Sequence, residues 1–133
     1  MNYIIDTNIV KPILKKDSKV LSRLYKVILS GKEVLIDGTV YYEVRRGLLY
    51  LKAKRKLEEF EEFCERYEIL LLNDLKIFNK ASEIYVSLKR KGKLNGDIDI
   101  LIAATALINN LIVVSNDEDF LEIDGLNVEN WLR

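Results

Sequence analysis

The chain has 133 residues, 49% apolar and 32% charged, with six glycines and one proline. That balance predicts one core-forming domain over residues 1–133 and excludes collagen, a flexible linker or a disordered tract. Basic and acidic residues number 21 each, histidine is absent and Cys64 is the single cysteine, so His-based triads, His-ligated zinc, two-histidine ribonuclease chemistry and an intramolecular disulfide are excluded.

The N-terminal MNYIIDTN has no long apolar run, and no stretch reaches the ~18 apolar residues of a membrane span. With the lone cysteine, this predicts a cytoplasmic protein without membrane contact. Tyr3-Ile4-Ile5 reads as a buried strand, and Asp6-Thr7-Asn8 behind it has the residue types that cap a helix. Val20, Leu21, Leu24, Val27 and Ile28 make a stripe of helical period that Gly31 should stop. Val34-Leu35-Ile36 predicts a second strand. A helix then follows Asp37-Gly38-Thr39, with Val40, Val44, Leu48 and Leu51 on one face. The next helix carries Leu57, Phe60, Cys64 and Tyr67, and Ile69-Leu70-Leu71-Leu72 gives a third strand. Ile77, Phe78, Ala81, Ile84, Tyr85 and Leu88 mark a helix ended by Gly92. From Ile98 to Ile108 the sequence is apolar nearly all round, which predicts a helix buried on most sides. Leu111-Ile112-Val113-Val114 is a further buried strand, and a short last one is expected near Leu126 to Val128. Strands separated by one or two helices need crossover connections. The prediction is an α/β fold: a central parallel sheet of four to five strands with helices on both faces.

Ligands of open α/β sheets bind beyond the carboxyl ends of the strands, and acids collect at that edge. Asp6 follows the first strand, and Asp117 follows Leu111 to Val114 in the run Ser115-Asn116-Asp117. Glu43 lies in the first turns of the helix after Val34 to Ile36, and Asp97 and Asp99 open the buried helix. Each has a local explanation: Asp6 as an N-cap, Asp97 and Asp99 against a helix dipole, Asp117 and Asp119 in a turn. Gathering them is unfavourable, because two carboxylates ~5 Å apart repel by roughly 3 kcal/mol at an effective dielectric of ~20. A cation removes that repulsion, and oxygen donors without His or Cys point to Mg2+ or Mn2+. Two other phosphoryl-transfer sites fail on residue type. A haloacid-dehalogenase-like phosphatase needs a second Asp where Asn8 stands. A response-regulator receiver needs paired acids at the first strand and a late Lys, and neither is present.

At these residues the chain resembles a PIN domain of the VapC toxin type, over essentially its whole length. The resemblance rests on Ile4-Ile5-Asp6-Thr7-Asn8, Tyr42-Glu43-Val44-Arg45-Arg46-Gly47, Asp99-Ile100-Leu101-Ile102-Ala103-Ala104-Thr105-Ala106 and Val114-Ser115-Asn116-Asp117-Glu118-Asp119-Phe120. It maps the family's four acids onto Asp6, Glu43, Asp99 and Asp117. Ser115 stands where many members have Thr, which keeps the hydroxyl. The resemblance implies a Mg2+- or Mn2+-dependent endoribonuclease in which Asp6, Asp99 and Asp117 hold metal. Glu43 would be a further ligand or would orient the attacking water. Thr7, Asn8, Ser115 and Asn116 would hold these acids in place, with Asp97 and Asp119 as auxiliary acids. It also implies a homodimer, and a VapB-type antitoxin whose tail occupies the acidic cleft. An RNA-processing PIN nuclease outside a toxin pair and a catalytically inactive PIN-like binding module are the alternatives.

Charge is segregated: residues 38–56 and 74–95 are net basic, 57–70 and 96–133 net acidic. Arg45 and Arg46, just past Glu43, are candidate contacts to an RNA backbone. Tyr41, Tyr42 and Tyr50 suit either base stacking or a partner interface. The run Glu58, Glu59, Glu61, Glu62 and Glu65 predicts solvated helix surface, and Cys64 an inert core position.

Overall fold

In the computed structural model, which describes residues 1–133, the chain runs β1 (Asn2–Ile5), α1 (Thr7–Leu14), α2 (Ser18–Leu29), β2 (Val34–Asp37), α3 (Gly38–Tyr50) and α4 (Lys54–Arg66). It continues through β3 (Glu68–Leu70), α5 (Leu75–Arg90), α6 (Asp97–Asn109), β4 (Leu111–Val114), a 3-10 turn (Glu118–Glu122) and β5 (Val128–Glu129). All five strands are parallel, in the order β3-β2-β1-β4-β5. The order moves outward from β1 in both directions, so right-handed crossovers carry the two halves of the chain over opposite faces of the sheet.

β1 is the centre of the sheet, with Ile4 and Ile5 wholly buried. Its register aligns Ile5 with Ile36 of β2 on one side and with Val114 of β4 on the other. Asp6 and Ser115 therefore leave the sheet at the edge where Asp37 ends β2, and all three are buried. α6 is buried through Ile100, Ile102, Ala103, Ala104, Thr105 and Ala106. Its alanines let the helix axis approach its neighbours closely, and Thr105 returns its hydroxyl to the Leu101 carbonyl at 2.8 Å. Gly31 and Gly92 follow the ends of α2 and α5 with φ of +84° and +68°, a conformation that costs glycine little.

Several details differ from the sequence reading. Phe78 and Tyr85 belong to the expected core stripe of α5 but are 41% and 37% exposed. α5 packs through Ile77, Ile84 and Leu88, and Phe78 and Tyr85 each lie one residue, about 100°, further round. Ile28 and Leu51 are likewise exposed, Leu51 because α3 ends at Tyr50. β3 spans Glu68–Leu70 rather than Ile69 to Leu72, and Leu71 faces solvent. β5 is two residues long and begins at Val128. No helix is long and apolar enough to cross a membrane.

Trp131 has no solvent exposure and closes the sheet beyond β5. Its ring packs against Tyr3 at 5.6 Å between centroids, and its Nε1–H donates to Glu129 at 3.1 Å. Glu129 also accepts from Arg23 at 3.3 Å and from the Tyr3 hydroxyl at 3.5 Å. Trp131→Ala should lower the unfolding free energy by about 3–5 kcal/mol in a guanidinium titration followed by circular dichroism. Leu29→Ala, at an exposed site, should stay within ~0.5 kcal/mol of the parent.

Candidate active site

Asp6 is the first residue beyond β1 and is 4% exposed. Its backbone N–H donates to the Val114 carbonyl at 2.9 Å, extending the β1–β4 ladder by one bond. Its carboxylate caps α1, with Oδ1 accepting from the Thr7 N–H at 2.8 Å. Oδ2 accepts from the Ser115 hydroxyl at 2.7 Å. Burial pushes the Asp6 carboxyl upward from its ordinary pKa; the Ser115 and Thr7 bonds oppose the shift, while Glu43 and Asp117 add to it.

Ser115 joins the two sides of the site. It is 2% exposed, donates to Asp6, and accepts from the Asp117 N–H at 2.9 Å and from Asn8 Nδ2 at 3.4 Å. Asn8 Oδ1 in turn accepts from the Asn116 N–H at 3.1 Å, and Asn116 Oδ1 accepts from Asn130 Nδ2 at 3.0 Å. These bonds strap the loop after β4 to the first turn of α1. Asp117 then caps the 3-10 turn, accepting from the Asp119 N–H at 2.9 Å. The Thr7 side chain takes no part: its Oγ1 is buried and makes no hydrogen bond. Asn130 was not singled out in the sequence, since nothing local links it to a loop fourteen residues earlier.

Asp99 faces this group from the first turn of α6. Its carboxyl is pushed up to about 6, first by burial and then by Asp6, Asp117, Glu43 and Asp119. Four acids delivered by three other parts of the chain thus act on Asp99. Glu43, partly buried on α3, is the member nearest a cation, with Arg46 Nη2 3.7 Å from its Oε2. Asp97 is exposed at the start of α6.

Asp37 is an acid of the same sheet edge that the sequence reading left as a helix start. It is wholly buried, and its Oδ1 accepts from both the N–H and the hydroxyl of Thr39 at 2.6 Å. It fixes the start of α3, the helix that carries Glu43.

No three of the carboxylates stand at the mutual spacing of a closed metal-ligand set. In chemistry the donor set, all oxygen, suits a hard divalent cation such as Mg2+ or Mn2+, and such a cation would offset the part of the Asp99 shift that, after burial, comes from the neighbouring acids. The two arginines after Glu43 divide. Arg46 stays beside Glu43, whereas Arg45 donates to Glu61 of α4 at 2.7 Å.

A family model described as "PIN domain" matches residues 3–126. The protein named Ribonuclease VapC2 of Haemophilus influenzae is 33% identical over 139 residues, covering 99% of each chain. Ribonuclease VapC2 of Rickettsia felis is 28% identical, covering 98% of each. The crystal structure of VapBC2 from Rickettsia felis, bound to a DNA fragment from its promoter, contains a chain that superposes with a TM-score of 0.90 at 27% identity, covering 98% of this chain and 99% of that one. The family match over nearly the whole chain and the end-to-end likeness to VapC ribonucleases agree: the chain belongs to the PIN domain family, in its VapC branch.

Proposed function

We propose that the chain is a Mg2+- or Mn2+-dependent endoribonuclease and the toxin of a VapB–VapC pair, acting as a homodimer in the cytoplasm. The observation that carries the reading is the convergence of Asp6, Glu43, Asp117 and Asp119 on Asp99, whose carboxyl is pushed up to about 6 by burial first and then by these acids. The VapC names of its relatives and the VapBC structures it resembles supply the substrate class and the partner.

Asp6, Asp99 and Asp117 would hold the cation, with Glu43 as a further ligand or as the group that accepts a proton from the attacking water. Such a cation supplies Lewis-acid stabilisation of charge on the phosphate and a source of hydroxide near neutral pH. Ser115 and the Thr7 N–H keep the Asp6 oxygens aimed, and the Ser115 oxygen anchors the backbone of Asp117. Water oxygen bonds to phosphorus, the bond from phosphorus to the 3′ oxygen breaks, and that oxygen takes up a proton. The products are a 5′-phosphate and a 3′-hydroxyl. With no histidine in the chain, a paired-imidazole route through a cyclic phosphate has no residues to run on.

A pool of tRNA and rRNA incubated with the antitoxin-free protein and Mg2+ or Mn2+ should be cleaved, and EDTA should stop the cleavage. Ser115→Ala should lose about 10- to 100-fold in rate, and Asp99→Asn more than that. An intact pool from folded protein under both metals moves the reading to a PIN-like binding module.

The raised Asp99 carboxyl also sets a stability slope. The unfolded side chain ionises near ~3.9 and the folded one near 6, so the metal-free fold loses stability as pH rises through this window and stays weakened above it. In EDTA at neutral pH, Asp99→Asn should therefore raise the unfolding free energy by roughly 1 kcal/mol, after a discount for solvent screening. At pH 4 the variant and the parent should denature together.

A further inference from the structure

Successive residues on a helix point about 100° apart, and α3 uses that angle to send Arg45 and Arg46 to different places. Arg45 is tied to Glu61 and links α3 to α4. Arg46 lies back over the ring of Tyr42, one turn earlier, with its Cζ 4.9 Å from the ring centroid. It also reaches Glu43 of the acidic cleft, at 3.7 Å. Tyr42 is 57% exposed and the Arg46 side chain 52%, so an aromatic face and a guanidinium stand together on the rim of the cleft.

The ion pair is long and solvent-exposed. Exposed pairs of this kind add little to stability, so little opposes an exchange of partner. A phosphodiester is a fixed anion whose oxygens match the guanidinium fork, and tyrosine offers a face on which any base can stack. The tyrosine also limits where the guanidinium can swing, which keeps it beside the acids rather than free in solvent.

We propose that Tyr42 and Arg46 form a nucleotide subsite for single-stranded RNA on the rim of the cleft. Arg46 leaves Glu43 for the backbone phosphate of a nucleotide adjoining the scissile bond, and Tyr42 stacks on that nucleotide's base. The subsite rests on the ribonuclease reading and adds a coupling to it. While RNA is absent, Arg46 lies beside Glu43 at 3.7 Å; arrival of RNA draws the guanidinium across to the phosphate.

The test is binding of a labelled, unstructured RNA oligonucleotide to the intact protein carrying Asp99→Asn, without divalent metal, between ~50 and ~300 mM KCl. In that background, Arg46→Ala should flatten the slope of log affinity against log salt by about 0.7, the loss of one phosphate contact on a single strand. Tyr42→Ala should weaken binding about 5- to 100-fold and leave the slope unchanged. Arg45→Ala should alter neither, and Arg46→Lys should keep the slope. Equal slopes for Arg46→Ala and its parent would overturn the subsite. So would an equal flattening by Arg45→Ala, which would reduce both arginines to a diffuse basic field. A parent that binds no RNA even at the lowest salt contradicts the ribonuclease reading itself, so the two failures are distinguishable.

Discussion

Carboxylates repel, and the molecule is arranged around holding several of them at one edge of a parallel sheet. The in-register alignment of Ile5 with Ile36 and with Val114 brings Asp6, Asp37 and Ser115 out side by side. A slip of one residue along either ladder would turn these side chains to the opposite face. The Ser115 hydroxyl then bonds Asp6 and the Asp117 backbone across the gap between β1 and β4. A single buried oxygen thus couples two acids that lie more than a hundred residues apart. The strain that remains falls on Asp99, where α6 meets the sheet edge.

The same residues serve folding and the proposed chemistry. Asp6 caps α1, Asp37 caps α3 and Asp117 caps the 3-10 turn, each through a backbone N–H close by. A local reason for each acid and a shared purpose at the cleft are therefore compatible. Capping is also what aims the side chains, because a capped carboxylate oxygen has its rotamer chosen by the helix that it begins. The second oxygen of Asp6, Oδ2, is held in turn by the Ser115 hydroxyl.

The sheet, and the places of Asp6 and Asp117 close behind its strands, were legible because they depend on short-range patterns, whereas Glu43 and Asp99 lie within α3 and α6 and depend on where those helices begin. Apolar runs of three or four residues mark parallel strands, and an acid directly after such a run must lie at the carboxyl edge. What the sequence concealed depends on contacts between distant segments. Trp131 gives no periodic signal, yet it packs against Tyr3 at the other end of the chain. Asn130 reaches Asn116 only because β5 lies beside β4. Phe78 and Tyr85 show a helical spacing as regular as that of Ile77 and Ile84, and only the position of α6 decides which pair is covered. Arg45 and Arg46 are identical in type and adjacent, and α4 alone separates their roles.

The central claim is that a hard divalent cation relieves the repulsion among these acids, and its binding is directly countable. Mn2+ would be titrated calorimetrically into the protein in two buffers of different ionisation enthalpy, at pH 6 and at pH 8. With the Asp99 carboxyl raised to about 6, saturable binding should release protons at pH 6 and fewer at pH 8, with both signals lost in Asp99→Asn. Absence of saturable binding, or binding at pH 6 without proton release, would contradict the claim.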